Sequence, residues 1–172
     1  MKKIIKNIIE GQDDNNIALT SESSKPLLYK DLKSLISKIA SQLAGNGISN
    51  KDRAAIVLPN GPFMASSFLS ISSYMSAAPL NPSYKTDEYE FYLKDLNPKI
   101  VIVEPNSNNK VVEVAKNLNI PVCEMKIKKD DQSVWFNLFD IFTKTIRFCA
   151  SVVILDYKSE LYRLFSGKIS YF

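Results

Sequence analysis

Histidine is absent from this 172-residue chain, glycine occurs five times, cysteine twice and tryptophan once. Each scarcity removes a class of chemistry. Without an imidazole, the usual base that activates a serine near neutral pH is missing. Gly11, Gly45, Gly47, Gly61 and Gly167 never cluster into a loop whose amides could wrap a phosphate chain. Cys123 and Cys149 lack metal-ligand spacing and read as thiols of a reducing compartment. No apolar run approaches the roughly 20 residues of a membrane span, and Ala150 to Leu155 is far short of it. Lys6 and Asn7 interrupt the opening MKKIIKNIIEG too early for a secretory signal, leaving an amphipathic surface helix with Ile4, Ile5, Ile8 and Ile9 on one face. The net charge of +4 is small and the lysines are dispersed, which argues against a nucleic-acid partner. The expectation is a cytoplasmic protein with neither a membrane nor a nucleic-acid partner.

What is present is periodicity. Ala54 to Leu58 is a continuous apolar run, as in a strand covered on both faces. Pro59-Asn60-Gly61-Pro62 ends it, and Pro62 suits the first position of a helix. Along that helix Met64, Phe68, Ile71 and Met75 make an oily stripe, and Ser66, Ser70, Ser73 and Ala77 a row of small side chains. A serine row raises the question of a nucleophile. No histidine or lysine on this helix could take the proton, so the row is expected to let the helix lie close on a sheet. Ala78 to Leu80 then reads as a short strand.

The flanks repeat the alternation. Ile17–Leu19 and Leu27–Tyr29 form a candidate hairpin, followed by a helix with Leu32, Leu35, Ile36, Ile39, Ala40 and Leu43 inward. Asp31 is a first-turn acid or cap, and Gly45-Asn46-Gly47 closes the helix. Later, Thr86 is expected to cap a helix that turns Tyr89, Tyr92, Leu93 and Leu96 inward and stops at Asn97-Pro98. Ile100 to Val103 reads as a buried strand. Asn106 or Ser107 then opens a helix carrying Val111, Val114, Ala115 and Leu118, and Ile120 to Glu124 is an edge strand because of Pro121. Strands and helices in this order imply a layered α/β domain with mostly parallel strands. The grammar changes near Met125. Residues 1–125 form the α/β portion and 126–172 a divergent tail, with a candidate helix spanning Trp135, Phe136, Leu138, Phe139, Ile141 and Phe142 and a candidate strand at Val152–Leu155.

Several motifs in fixed order carry a resemblance. They are Leu27-Leu28-Tyr29-Lys30-Asp31-Leu32, Asp52-Arg53 ahead of the apolar strand, Leu58-Pro59-Asn60-Gly61-Pro62, and Pro79-Leu80-Asn81-Pro82-Ser83-Tyr84 followed by Glu88 and Leu93. Together they resemble the N-terminal part of the AMP-forming acyl-CoA synthetases, adenylate-forming ligases, with the flavour of the oxalate and 4-coumarate CoA ligases. The chain departs from that pattern at Leu28, where threonine is usual, at Phe63, where an acid is frequent, and at Met75-Ser76 in place of Ala-Gly.

The resemblance implies a ligase that joins a carboxylic acid to ATP, releases pyrophosphate and passes the acyl group from AMP to coenzyme A. For the full-length family it implies ATP, Mg²⁺ and CoA. The family's phosphate loop, acidic metal ligand, ribose-binding aspartate and C-terminal lysine have no counterpart here, so no catalytic, cofactor-binding or metal-binding residue is assigned and no cofactor is expected for this chain. Ser166-Gly167-Lys168 is a faint phosphate-loop echo without the other glycines, and Asp130-Asp131 beside Lys128 and Lys129 reads as a solvated charged loop. The change after Met125 is what a frameshift or truncation would produce, with exposed sheet edges prone to aggregate. Two function classes stay open: a truncated ligase, inactive alone or completed by a second chain carrying the rest, and a non-catalytic binding module on the ligase scaffold, for which a buried Trp135 would speak.

Overall fold

A computed structural model describes residues 4–22, 24–127 and 136–137 of the chain. It begins with α1 (Ile4–Glu10), a hairpin of β1 (Ile17–Ser21) and β2 (Ser24–Leu28), and α2 (Tyr29–Gly45). Next come β3 (Arg53–Val57), α3 (Pro62–Ser72), β4 (Ser76–Pro79), α4 (Thr86–Leu96), β5 (Ile100–Val103), α5 (Lys110–Asn117) and β6 (Val122–Glu124). The four strands β3 to β6 form one parallel sheet in the order β4-β3-β5-β6. The expected α/β layering is therefore present, and Val122–Glu124 lies at a sheet edge as Pro121 implied.

The strand order explains the two cores. From β3 the chain crosses to β4 on one side, then returns over β3 to β5 on the other, so successive helices must cover opposite faces. Ala54, Ile56, Ile100, Ile102 and Cys123 pack into one core with Leu35, Ile39 and Leu43 of α2 and Ile71 of α3. Their strand neighbours Ala55, Val57, Val101, Val103 and Val122 pack on the reverse face with Tyr89 and Leu93 of α4 and Val111, Val114 and Ala115 of α5. Adjacent residues of one strand thus enter different cores, which is why these strands are apolar throughout. A third cluster of Ile9, Leu27, Leu32 and Ile36 seats α1 and the hairpin against α2.

Helix ends are set by local chemistry. At the end of α2 the Ile48 N–H donates to the Leu43 carbonyl and the Gly47 N–H to the Ala44 carbonyl, both at 3.0 Å. That pair of bonds needs a left-handed residue, and Gly47 supplies it at φ 73°. The end of α5 repeats the arrangement with Asn119 at φ 56°, as Ile120 donates to Ala115 and Asn119 to Lys116.

Several expectations are corrected. Thr86 is the first residue of α4 and not its cap; Lys85 holds the cap position, and Glu88 accepts its N–H at 2.7 Å, half of a capping box. Asn109 caps α5, accepting the Val111 N–H at 3.0 Å, whereas Asn106 sits in a left-handed turn at φ 55°. The strand after α3 spans Ser76–Pro79, earlier by two residues at its start, because Ala54 pairs with Ala77 and Ile56 with Pro79. Along α1, Ile9 is buried but Ile8 is 58% exposed, so the isoleucines do not share one covered face. Phe136 belongs to β8 (Phe136–Asn137), antiparallel to β7 (Lys126–Ile127) with Phe136 in register with Ile127, and not to a helix. Cys149, Asp130-Asp131, Trp135, the Val152–Leu155 strand and Ser166-Gly167-Lys168 lie outside the described residues.

Candidate functional site

Because β3 to β6 run parallel, the segments after each strand gather at one edge of the sheet: Leu58–Gly61, Leu80–Lys85, Glu104–Asn109 and Met125. Ligands of open α/β sheets bind beyond this carboxyl edge, where the chain order reverses. Here the reversal falls between β3 and β5, since α3 leaves β3 for one face and α5 leaves β5 for the other.

The Pro79–Tyr84 motif lies on this edge and is tied down from three directions. The Leu80 N–H donates to the Ile56 carbonyl at 2.9 Å, continuing the β3–β4 ladder past Pro79. The Tyr89 hydroxyl donates to the Asn81 carbonyl at 2.9 Å, and the Asn109 side-chain amide to the Pro82 carbonyl at 2.8 Å. Asn81 also accepts the Ser83 N–H at 2.9 Å, a short turn of its own. Tyr84 stacks on Tyr92 with ring centroids 5.0 Å apart, and a hydrogen bond with Tyr92 raises its hydroxyl above the ordinary tyrosine range. Asn109, which the sequence did not single out, therefore caps α5 and bolts the β4–α4 turn to it. Its position at a helix start beside a proline-rich turn was not a legible signal, since the two segments are 27 residues apart.

The serine row of α3 faces the interior. Ser66, Ser70 and Ser73 are buried, joined by Ser67, while Met64 and Phe68 of the oily stripe are only half-buried. Ser66 bonds back to the Pro62 carbonyl at 2.9 Å and Ser73 to the Leu69 carbonyl at 2.7 Å. The Ser67 hydroxyl contacts the Met125 sulfur at 3.4 Å, and the Ser70 oxygen has no hydrogen-bond partner among the described residues. These hydroxyls are enclosed, and all but that of Ser70 are engaged by backbone or sulfur, so the row serves close packing. Cys123 is enclosed in the same core, and burial pushes its thiol well above the ordinary range.

Gly11, the pair Gly45 and Gly47 at the end of α2, and Gly61 lie at three separate places in the chain, and among the described residues no three acidic or cysteine side chains cluster to hold a metal. The carboxyl edge is knit by bonds between its own turns, one of them to a carboxylate, as Glu124 accepts the Asn106 N–H at 3.2 Å.

The profile of the family described as AMP-binding enzyme matches residues 9–140. The chain belongs to the AMP-binding enzyme family. This match runs beyond Met125, near which the sequence grammar changes. An oxalate–CoA ligase of Arabidopsis thaliana is 34% identical over 105 residues, covering 60% of this chain and 20% of that protein. A second oxalate–CoA ligase, of Saccharomyces cerevisiae, is 29% identical over 97 residues, covering 52% of this chain and 18% of the relative. Among solved structures, ATP-bound MatB from Rhodopseudomonas palustris superposes with a TM-score of 0.65 at 18% identity, over 84% of this chain and 28% of that one. The chain thus spans about a fifth of the length of these two ligases. No helix among the described residues is long and apolar enough to cross a membrane.

Proposed function

We propose that this chain supplies the N-terminal α/β portion, residues 1–125, of an AMP-forming acyl-CoA ligase, and that it does not form an acyl adenylate by itself. The complete reaction converts a carboxylic acid, ATP and CoA to acyl-CoA, AMP and pyrophosphate, with Mg²⁺ assisting the phosphates. The observation that carries the reading is the family match together with a carboxyl edge whose turns are bonded to one another through Asn81, Pro82, Tyr89 and Asn109. In-line displacement on ATP needs amides, hydroxyls and a cation aimed at the phosphates. In this reading those groups come from segments beyond these residues, on a second chain carrying the rest of the ligase, and the assembly works in the cytoplasm. Residues 126–172 are a divergent tail.

The test is ATP–pyrophosphate exchange with a panel of carboxylic acids that includes oxalate, the acid named in two relatives. We expect no exchange above background from the purified chain, and exchange on adding a polypeptide that carries the family's phosphate loop. Robust exchange by the chain alone, or tight magnesium-dependent retention of ATP, would overturn the reading. The boundary at Met125 has its own test in the DNA. Family motifs continuing in another frame beyond that codon support it, and their absence from every frame counts against a frameshift.

A further inference from the structure

We propose that Asn60 is a site of spontaneous deamidation, the labile member of the chain's two Asn-Gly pairs. The sequence holds Asn46-Gly47 and Asn60-Gly61, and it gives no reason to distinguish them. In such a pair the backbone nitrogen of glycine, on losing its proton, attacks the asparagine side-chain carbonyl carbon. A new N–C bond closes a succinimide, the bond to the side-chain nitrogen breaks, and ammonia leaves. Water then opens either carbonyl, giving aspartate or isoaspartate. The sequence of steps is redox-neutral and water is its one co-reactant. It needs an unhindered glycine nitrogen and a side chain free to swing onto it.

The fold satisfies these needs at one pair and denies them at the other. At the end of α2 the Gly47 N–H donates to the Ala44 carbonyl at 3.0 Å, and the Asn46 side-chain amide donates to the Gln42 carbonyl at 2.8 Å. The nucleophile is engaged, the leaving group is tethered, and the Asn46 N–H is itself bonded to Gln42 and Leu43. In the turn between β3 and α3, by contrast, Asn60 is exposed, and neither its side chain nor the Gly61 N–H has a hydrogen-bond partner among the described residues. Gly61 lies at φ 153° with ψ −170°, a region open to glycine alone, and nothing stands within 4 Å of where a side chain would begin.

The product has a consequence for the fold. Asn60 precedes the N-cap of α3, a helix whose first N–H groups no side chain caps. An aspartate there adds a carboxylate at the positive end of the helix dipole. An isoaspartate instead lengthens the main chain by one carbon where β3 hands over to α3.

The full chain is incubated at mildly alkaline pH, folded or unfolded in urea, and mapped by mass spectrometry after trypsin. Cleavage at Lys38, Lys51, Arg53 and Lys85 puts the two asparagines on separate peptides. In the folded chain Asn60 should convert about tenfold faster than Asn46, the factor expected from having to break the bonds at Gly47. In urea the two should convert at comparable rates. Isoaspartyl methyltransferase labelling should follow the Asn60 peptide, and Asn60→Gln should abolish it while leaving Asn46 conversion unchanged. Conversion of Asn46 as fast as Asn60 in the folded chain would overturn the proposal. So would an Asn60 that keeps its amide under conditions that convert the unfolded chain.

Discussion

Ser70 shows how an unremarkable residue carries a measurable cost. Its hydroxyl is buried on α3 without a hydrogen-bond partner among the described residues, while Ser66 and Ser73 on the same face are bonded back along the helix. Ser70→Ala removes an unsatisfied polar atom without opening a void, and should stabilise the chain by about 1 kcal/mol in urea unfolding. Ser70→Leu fills space that is not there and should cost about 1–3 kcal/mol. Asp52 carries a pH effect. The Ser49 N–H at 2.7 Å, then the Ser49 hydroxyl at 2.9 Å, with Lys99 and Arg53 nearby, hold its carboxyl below the ordinary 3.8. A depressed folded pKa gives stability that is present above the unfolded value and lost as pH falls through the folded one. Asp52→Asn should therefore flatten the acid limb of the stability profile and leave the alkaline limb unchanged, as followed by circular dichroism. A profile unchanged at the acid end would show that the Asp52 bonds do not survive in solution.

At the scale of elements, the glycines around α2 separate by backbone conformation. Gly47 is left-handed at φ 73°, Gly45 is not, and an added Cβ at either position meets nothing within 4 Å. Gly47→Ala should then cost about 1–2 kcal/mol from backbone strain alone, whereas Gly45→Ala, at the last position of the helix, should gain about 0.5–1 kcal/mol. Equal shifts in the two unfolding midpoints would contradict this assignment. The positions of β3, α2, α4 and β5 were legible because each repeats one apolar pattern for long enough to fix its period. The start of α5 was not. Asn106, Ser107 and Asn109 are all competent caps, and the choice fell to Asn109 because its amide also reaches the Pro82 carbonyl from a distant turn. On α3 the serine row expected to pack closely is buried, together with Ile71 and Met75 of the apolar stripe, whereas Met64 and Phe68 of that stripe are only half-buried.

For the molecule as a whole, β4 and β6 are the two edges of the four-stranded sheet. Pro79 blunts the first by withholding an N–H, which leaves Ser76–Ala78 as the short stretch able to recruit another strand. If the proposed reading holds, the isolated chain should associate as its concentration rises, seen by light scattering, and a polypeptide carrying the family's phosphate loop should suppress this. Scattering that stays monomeric across the range would count against an incomplete sheet. Leu93→Ala, in the core beneath α4, should cost about 2–5 kcal/mol and unfold the sheet with the helix.

The sequence by itself determined the layered architecture and the family, because both rest on patterns local to a strand, a helix or a turn. The apolar runs that enter two cores, the glycine and asparagine stops, and the Pro79–Tyr84 corner can all be read a few residues at a time. Tertiary structure alone decided which hydroxyl stays unsatisfied, which asparagine bolts two turns together, and which of two identical Asn-Gly pairs stands unprotected. Those outcomes depend on hydrogen bonds and neighbours brought in by chain reversal, and a linear pattern carries no record of them.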